Sequence, residues 1–372
     1  MGLKKRILIA TFAPLRYEIG GGQMAIYLAD SLRELGHEVF LWTCATISSK
    51  SKNFLKNSLV FKKELDSFIE AYGPFDLIEV FPAFVTVKIK KAADVLVVRE
   101  VGPEILYAWS RFIEFSRKGI LNFIKSPYRF LRFLISAFES VRGWLLADYI
   151  FCLGSLEYRW IKKWVPLLSK KRIIYFAQPS KADQDALKQL RAKRRKLDKE
   201  GIRFLWIGRW SYHKGIDRLI NFITRRSRAH PEDTFTIAGC GEKAIKDLPQ
   251  ALLSSGQLKV VPFFKHEEIG GFLSEHDVGI FTSKVEGWGI SLNEMLESGL
   301  TVFATEAGGV PDLRPYFKGS LRPFSEANDV SYSDLNIEQI NEEYYKNFNW
   351  SVLAKIYDVL PLKRIKKNTE PR

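Results

Sequence analysis

The chain has 372 residues, 46% of them hydrophobic, a formal net charge of +15 and three cysteines. At about 150 residues per domain, that length exceeds one ordinary core and predicts two. The charge directs the protein to anionic partners, from nucleotides to nucleic acid to acidic lipid, and the absence of any apolar run of about 18 residues excludes a membrane-crossing helix. Cys44, Cys152 and Cys240 are far apart, each in or beside an apolar run. They read as small buried hydrophobes of a reducing compartment, not as a disulfide or metal frame.

Residues 1–15 superficially resemble a signal peptide, but the apolar part is short and Arg16 and Glu18 follow it. Arg6 stands where a myristoylation signal requires Ser or Thr. Residues 7–11 instead predict the first core strand, followed by a loop to Gly20, Gly21 and Gly22. Met24, Tyr27, Leu28, Leu32 and Leu35 then recur at helical spacing up to Gly36, and 39–43 predicts the next strand. This βαβ pattern implies a parallel sheet. The segment G-G-G-Q-M-A satisfies G-x-G-x-x-A, yet a dinucleotide site needs its glycines directly after the strand and an acidic residue about 20 positions on. Here a long loop intervenes and the second strand ends in Trp42, Thr43 and Cys44, which rejects a nicotinamide cofactor. Strands at 77–80, 95–99, 149–153 and 172–176 complete a doubly wound domain over 1–182. His37, the single histidine of this half, lies at the polar end of a helix and reads as solvated.

Between 105 and 146, Trp109, Phe112, Phe115, Phe123, Tyr128, Phe130, Phe133 and Trp144 interleave with Arg111, Arg117, Lys118, Lys125, Arg129 and Arg132. Three readings stand: a basic amphipathic surface for an anionic membrane, an ordinary helix pair packed on the sheet, or a base-stacking surface. No nucleic-acid motif accompanies the charge, so no nucleic-acid partner is expected.

Residues 181–199 are polar, and read as an inter-domain connection with a solvated helix. A second domain, 183–345, opens with a strand at 204–207 running into Gly208 and Arg209, then S-Y-H-K-G-I-D and a helix rich in Leu219, Ile220 and Phe222. Two cations, Arg209 and Lys214, at a strand-to-helix turn suit a diphosphate; His213 beside them reads as an ordinary loop residue. Strands follow at 235–238, 278–281 and 301–304. Between the last two lies E-G-W-G-I-S-L-N-E, 286–294, where glycines meet a helix start and two carboxylates frame an anion site. Ser291 and Glu294 also have the spacing of a capping box, a purely structural alternative.

The ordered series F-L-W-I-G-R-W at 204–210 with Lys214 and Gly215, F-T-I-A-G-C-G-E at 235–242, V-V-P-F-F at 260–264, D-V-G-I-F-T-S at 277–283, the E-x7-E element and A-G-G-V-P-D at 307–312 resembles the donor half of the retaining family 4 glycosyltransferases of GT-B fold. The resemblance covers residues 201–316. It implies an α/β protein of two Rossmann-like domains facing a cleft, with 349–360 resembling the helix that crosses back to the N-terminal domain and 361–372 a basic tail.

The resemblance also implies roles. Arg209 and Lys214 would neutralise the departing diphosphate, with backbone N–H groups of Gly287, Trp288, Gly289 and Ile290 at the helix start beside Ser291. Glu294 would accept from the ribose hydroxyls, and Glu286 would hold the transferred sugar. Gly208 belongs to the same donor loop, the segment ending in Phe263 and Phe264 resembles the one that reads the base, and Gly21 and Gly22 would face the donor phosphates. Many relatives carry a histidine after the 95–99 strand; here Arg99 and Glu100 occupy that place, as speculative acceptor-side residues. The expected co-substrate is a nucleotide diphosphate sugar, with no cofactor and no metal, and the expected acceptor a glycan or lipid-linked precursor of a surface polysaccharide. The expected location is cytoplasmic, peripheral on the inner face of a membrane. The rival classes are a non-catalytic basic membrane- or nucleic-acid-binding protein and another sugar-nucleotide enzyme on this fold, such as an epimerase or a sugar-phosphate synthase.

Overall fold

In a computed structural model of the chain, the described residues are 3–17, 20–44, 54–99, 104–116, 126–175, 181–194, 201–335, 340 and 342–362. The chain divides into two compact units, Met1–Ala177 with Phe348–Arg372, and Gln178–Asn347.

The first unit is a six-stranded parallel sheet of β1 (Arg6–Thr11), β2 (Glu38–Thr43), β3 (Phe75–Val80), β4 (Ala93–Arg99), β5 (Tyr149–Leu153) and β6 (Arg172–Tyr175), in the order β2-β1-β3-β4-β5-β6. Central strands such as β4 are buried throughout because helices cover both faces, which is why they read as unbroken apolar runs. The order turns around between β1 and β3, the point at which such sheets open a crevice beyond their strand ends.

Gly20, Gly21 and Gly22 are not a loop; they form the first turn of the helix Gly20–Glu34. A Cβ on Gly22 would stand 2.0 Å from the Pro14 carbonyl oxygen, so the chain after β1 crosses the helix start at a distance only glycine permits.

The expectation of a solvated His37 is wrong, for the ring is 6% exposed. Its Nδ1 accepts the Lys5 backbone N–H at 3.3 Å and its Nε2 lies 3.5 Å from Asp358. Burial lowers its pKa, against the pull of Asp358. Both contacts belong to the anchorage of the closing helix Trp350–Asp358, which Asn349 caps through the Ser351 N–H at 2.9 Å. At its other end the Lys5 ammonium donates to the carbonyls of Tyr357, Asp358 and Leu360 at 2.8, 2.6 and 2.9 Å, a cation where the helix dipole is negative. The Tyr357 hydroxyl donates to Glu79, whose other oxygen pairs with Arg99 at 2.7 Å. Arg99 is 5% exposed; its charge is paired inside the core, at the end of β4. The speculative acceptor-side role for it therefore gives way to a structural one, and Glu100 lies outside the described residues.

The 105–146 region forms two helices, Glu104–Ser116 and Ser126–Leu146, with 117–125 outside the described residues. Trp109, Phe112, Phe130 and Phe133 stack between them, and Trp144 is fully buried against the sheet. Packing on the sheet, however, uses one side only. Leu131, Leu134 and Phe138 remain 54%, 46% and 66% exposed. Among the described residues no helix is long and apolar enough to cross a membrane.

The second unit is a second parallel sheet of β7 (Arg203–Ile207), β8 (Thr234–Ala238), β9 (Leu258–Val261), β10 (Val278–Phe281), β11 (Thr301–Ala304) and β12 (Leu321–Pro323), ordered β12-β11-β10-β7-β8-β9. Counted within the unit from β9, this is the dinucleotide-fold order 3-2-1-4-5-6, turning around between β7 and β10. Asp277 fixes that junction, taking the Arg203 guanidinium on both oxygens at 2.9 and 2.7 Å. Of the segment 260–264, β9 takes in Val260 and Val261, and Pro262 and Phe263 leave the sheet. The short edge strand β12 had no signal in the sequence. Of the polar connection 181–199, residues Lys181–Lys193 form a helix and 195–199 lie outside the described residues, as does the basic tail from 363 onward.

Candidate active site

The loops after β7 and β10 meet beyond the strand ends at the turnaround, and backbone bonds lock them together. The His213 carbonyl accepts the N–H groups of Lys284 and Val285 at 2.7 and 3.2 Å. The Thr282 hydroxyl donates to the Lys214 carbonyl at 2.7 Å and accepts the Trp206 indole N–H at 3.0 Å. One loop therefore cannot shift without the other. His213, expected as an ordinary loop residue, is 9% exposed and forms this seam.

The seam sets two charges in contact. The Lys214 ammonium donates to the Glu286 carboxylate, which also takes the Ser283 hydroxyl at 3.0 Å. Both side chains are mostly buried, 13% and 12% exposed. Burial by itself would raise the Glu286 pKa, but Lys214, then His213 and the Ser283 bond, outweigh it and hold the carboxyl below its ordinary value. Glu286 is therefore an ionised acceptor at neutral pH. Arg209, by contrast, extends exposed from the start of the same loop, with Gly208 behind it donating to the Ala238 carbonyl at 3.0 Å.

The helix Ile290–Glu297 begins at this seam. Its N-cap is Gly289, at φ 97°, where a side chain would be strained and would press on the Phe281 ring. No side chain caps the helix, and the Ser291 hydroxyl reaches instead toward the Ile207 carbonyl at 3.5 Å. The capping-box alternative for Ser291 and Glu294 therefore fails; Glu294 lies 5% exposed in the first turns of the helix.

Trp288, expected among donor-binding residues, points the other way. Its indole is 2% exposed and donates to the Asn293 side chain at 3.0 Å. Asn293 donates in turn to the Tyr344 hydroxyl at 3.1 Å, and Tyr344 donates to Glu297 at 2.5 Å. Only the backbone of Trp288 remains for the loop's surface. This buried relay supports Gly287–Gly289 from behind, and no sequence spacing announced it, since Tyr344 is 51 residues from Asn293. Burial raises the Glu297 carboxyl to about 8, Tyr344 opposing and Glu294 adding to the rise. At its far end the helix has its carbonyls held by Arg191 and Arg194: Glu297 and Ser298 each accept at 3.1 Å.

Phe263 is 75% exposed. The adjacent Phe264 ring packs on Gly239, which in turn approaches the Gly208 carbonyl, and Gly241 donates to the Pro262 carbonyl at 2.9 Å. An exposed aromatic face thus borders the loop bearing Gly208 and Arg209. Gly21 and Gly22 belong to the other unit.

The family of glycosyl transferases group 1 matches residues 188–331, a span containing Arg209, the Lys214–Glu286 pair and Glu294. That match covers less than half of the chain and falls on the second unit. A relative of the chain is the phosphatidylinositol N-acetylglucosaminyltransferase gpi3 subunit of Schizosaccharomyces pombe, 29% identical over 181 residues, which are 44% of this chain and 39% of that protein. The matched stretch thus spans well under half of the relative's length. At the level of fold the likeness extends over both units. Sucrose-phosphate synthase from Thermosynechococcus elongatus has a TM-score of 0.69 at 15% identity, covering 98% of this chain and 99% of its own. WaaG, a glycosyltransferase involved in lipopolysaccharide biosynthesis, has 0.62 at 15% identity, covering 97% and 98%. The expected fold, two Rossmann-like α/β units of the GT-B kind, is the one observed.

Proposed function

We propose that the chain transfers a sugar from a nucleotide diphosphate sugar to a hydroxyl acceptor, with retention at the anomeric carbon and without a metal ion. The observation that carries this reading is the Lys214–Glu286 pair, locked at the turnaround between β7 and β10, with exposed Arg209 at the start of the loop that bears Lys214. Cations already fixed where negative charge gathers need no reorganisation as the bond breaks. Arg209, Lys214 and the backbone N–H groups of Gly287, Gly289 and Ile290 at the helix start would take the charge of the departing diphosphate, leaving no need for an ion. The ionised Glu286 would accept from the hydroxyls of the transferred sugar and stabilise positive charge growing at its anomeric carbon. Glu294 would accept from the ribose and Phe263 would stack on the base. In this scheme the bond between the anomeric carbon and the phosphate oxygen breaks, the acceptor oxygen bonds to the same face, and the acceptor proton passes to the departing phosphate.

For the acceptor we propose a lipid-linked molecule. Support comes from the exposed apolar residues of the Ser126–Leu146 helix together with the positive net charge, which suit an anionic membrane surface through 105–146. The fission-yeast relative, a phosphatidylinositol N-acetylglucosaminyltransferase subunit by name, agrees with a lipid acceptor.

The test is thermal unfolding against UDP, GDP, ADP, dTDP and NAD with a chelator present. A ligand at about 100 times its dissociation constant adds about 2.7 kcal/mol, so one nucleoside diphosphate should raise the midpoint clearly. A shift with NAD alone, or with none, would sink the reading.

A further inference from the structure

The connection from β5 to β6 carries an apolar tip ringed by cations that plays no part in the donor site. The helix Ser155–Trp164 ends in Lys162, Lys163 and Trp164; Pro166 then opens a tight 3-10 turn, Pro166–Lys171, that leads into β6. Leu167 is 91% exposed and Trp164 64%. These values are extreme for such side chains, and together they make a projecting apolar point and not a cleft. Every charged residue between Glu157 and Asp183 is a cation, and Lys162, Lys163 and Lys170 are exposed around the tip.

The tip is tied to a second apolar surface. The Lys171 ammonium donates to the carbonyls of Leu145 and Ala147, both at 2.9 Å, which joins the turn to the end of the Ser126–Leu146 helix. On that helix Leu131, Leu134, Phe138 and Leu145 are 54%, 46%, 66% and 56% exposed. At about 100° per residue they fall within an arc of about 60°, a single stripe along the helix. The stripe ends at Leu145, where the turn begins.

We infer that the Trp164–Leu167 turn is an interfacial anchor for an anionic lipid bilayer, set at one end of the stripe. Lysine is depleted in the cores of protein–protein interfaces, whereas an indole and a leucine projecting from a ring of lysines have the composition of a bilayer contact: apolar groups among the acyl chains, ammonium groups at the phosphates. The turn holds one end of the stripe and lets the helix lie along the surface. This deepens the lipid-acceptor reading above and rests on it for its biological sense, but the binding itself is independent of sugar transfer.

The experiment is co-sedimentation of the full chain with vesicles of phosphatidylcholine alone and of phosphatidylcholine with about a third phosphatidylglycerol. Binding is expected to the anionic vesicles, and Trp164→Ser with Leu167→Ser should lower that partitioning at least about tenfold, given that burying one such side chain is worth about 1.5–3 kcal/mol. Both positions are exposed, so the melting midpoint and its rise with a nucleoside diphosphate should stay at wild-type values. Retained vesicle binding in the double variant would overturn the anchor, as would binding abolished by salt yet indifferent to both apolar substitutions. A nucleotide-blind protein that still needs Trp164 and Leu167 to bind vesicles would leave the anchor standing and remove the transferase reading.

Discussion

Replacing Lys214 by methionine isolates the charge at the centre of the site while keeping most of the side-chain volume. Glu286 is 12% exposed, so it would be left as a buried carboxylate without its ammonium partner, Ser283 and His213 remaining among its neighbours. Removing one member of a buried pair typically costs about 3–5 kcal/mol, on the order of 10 °C in midpoint for a unit of this size. The loss should depend on pH. In the wild type the Glu286 pKa lies below its unfolded value, so its contribution is complete above the unfolded pKa and disappears as pH falls through the folded one. In Lys214→Met, burial, the largest influence, faces only the weaker pull of His213 and Ser283 in place of the ammonium, and the folded pKa rises; destabilisation then grows as pH climbs above the unfolded value and is relieved on acidification, when the carboxyl can take a proton. The variant should therefore melt far below wild type at pH 8 and much closer to it at pH 5. Adding Glu286→Gln should recover most of the stability, a coupling of about 2–3 kcal/mol. Neither variant should regain turnover, because the cation facing the diphosphate is gone, a loss of about 100- to 1000-fold. Thermal melts of wild type, both singles and the double at both pH values, with single-turnover donor cleavage, decide it. Additive losses without pH dependence would show that the pair carries no special energy, and near-wild-type cleavage would take Lys214 out of the chemistry.

Three further outcomes are expected. Glu294→Ala should weaken donor binding by about 10- to 100-fold, the worth of charged hydrogen bonds, with the fold kept; calorimetric titration of the nucleoside diphosphate checks this, and a loss of stability alone would restore a structural role. Arg209→Ala, at an exposed position, should leave the melting midpoint within about 1 °C while lowering kcat by about 100-fold or more; an unchanged kcat would refute its role. Glu297, with its carboxyl raised by burial to about 8, keeps a proton in the folded state that the unfolded chain has lost. Stability should therefore fall as pH rises from the unfolded pKa toward 8, by up to about 1.4 kcal/mol per pH unit for this group. Glu297→Gln should flatten that slope in urea titrations between pH 6 and 8, and an unchanged slope would place the proton elsewhere.

The primary sequence determined which segments become strands and which loops carry the candidate donor-side residues. Buried parallel strands are continuous apolar runs whatever their partners, so 149–153, 278–281 and 301–304 were legible to the residue. Arg209, Lys214 and Glu286 were nameable as candidates because a strand-to-helix turn presents its charges beyond the strand end, and Glu294 through the E-x7-E spacing. What the sequence could not express is who stands next to whom. Arg99 looked available at its strand end until Glu79 and Tyr357, 278 residues apart, closed around it. His37 has the sequence neighbours of a solvated residue and was buried by a helix more than 300 positions away. Trp288 sat in the right loop but turned inward, because Asn293 and, beyond it, Tyr344 offered its indole a partner. Ser291 and Glu294 had the spacing of a cap, and Gly289 made one unnecessary by taking the N-cap position itself. Local pattern follows from burial and periodicity along the chain, whereas the fate of each polar group depends on partners brought from a distance. Strand order is of the second kind: only the tertiary structure set β10 beside β7, and that adjacency is what puts Glu286 against Lys214.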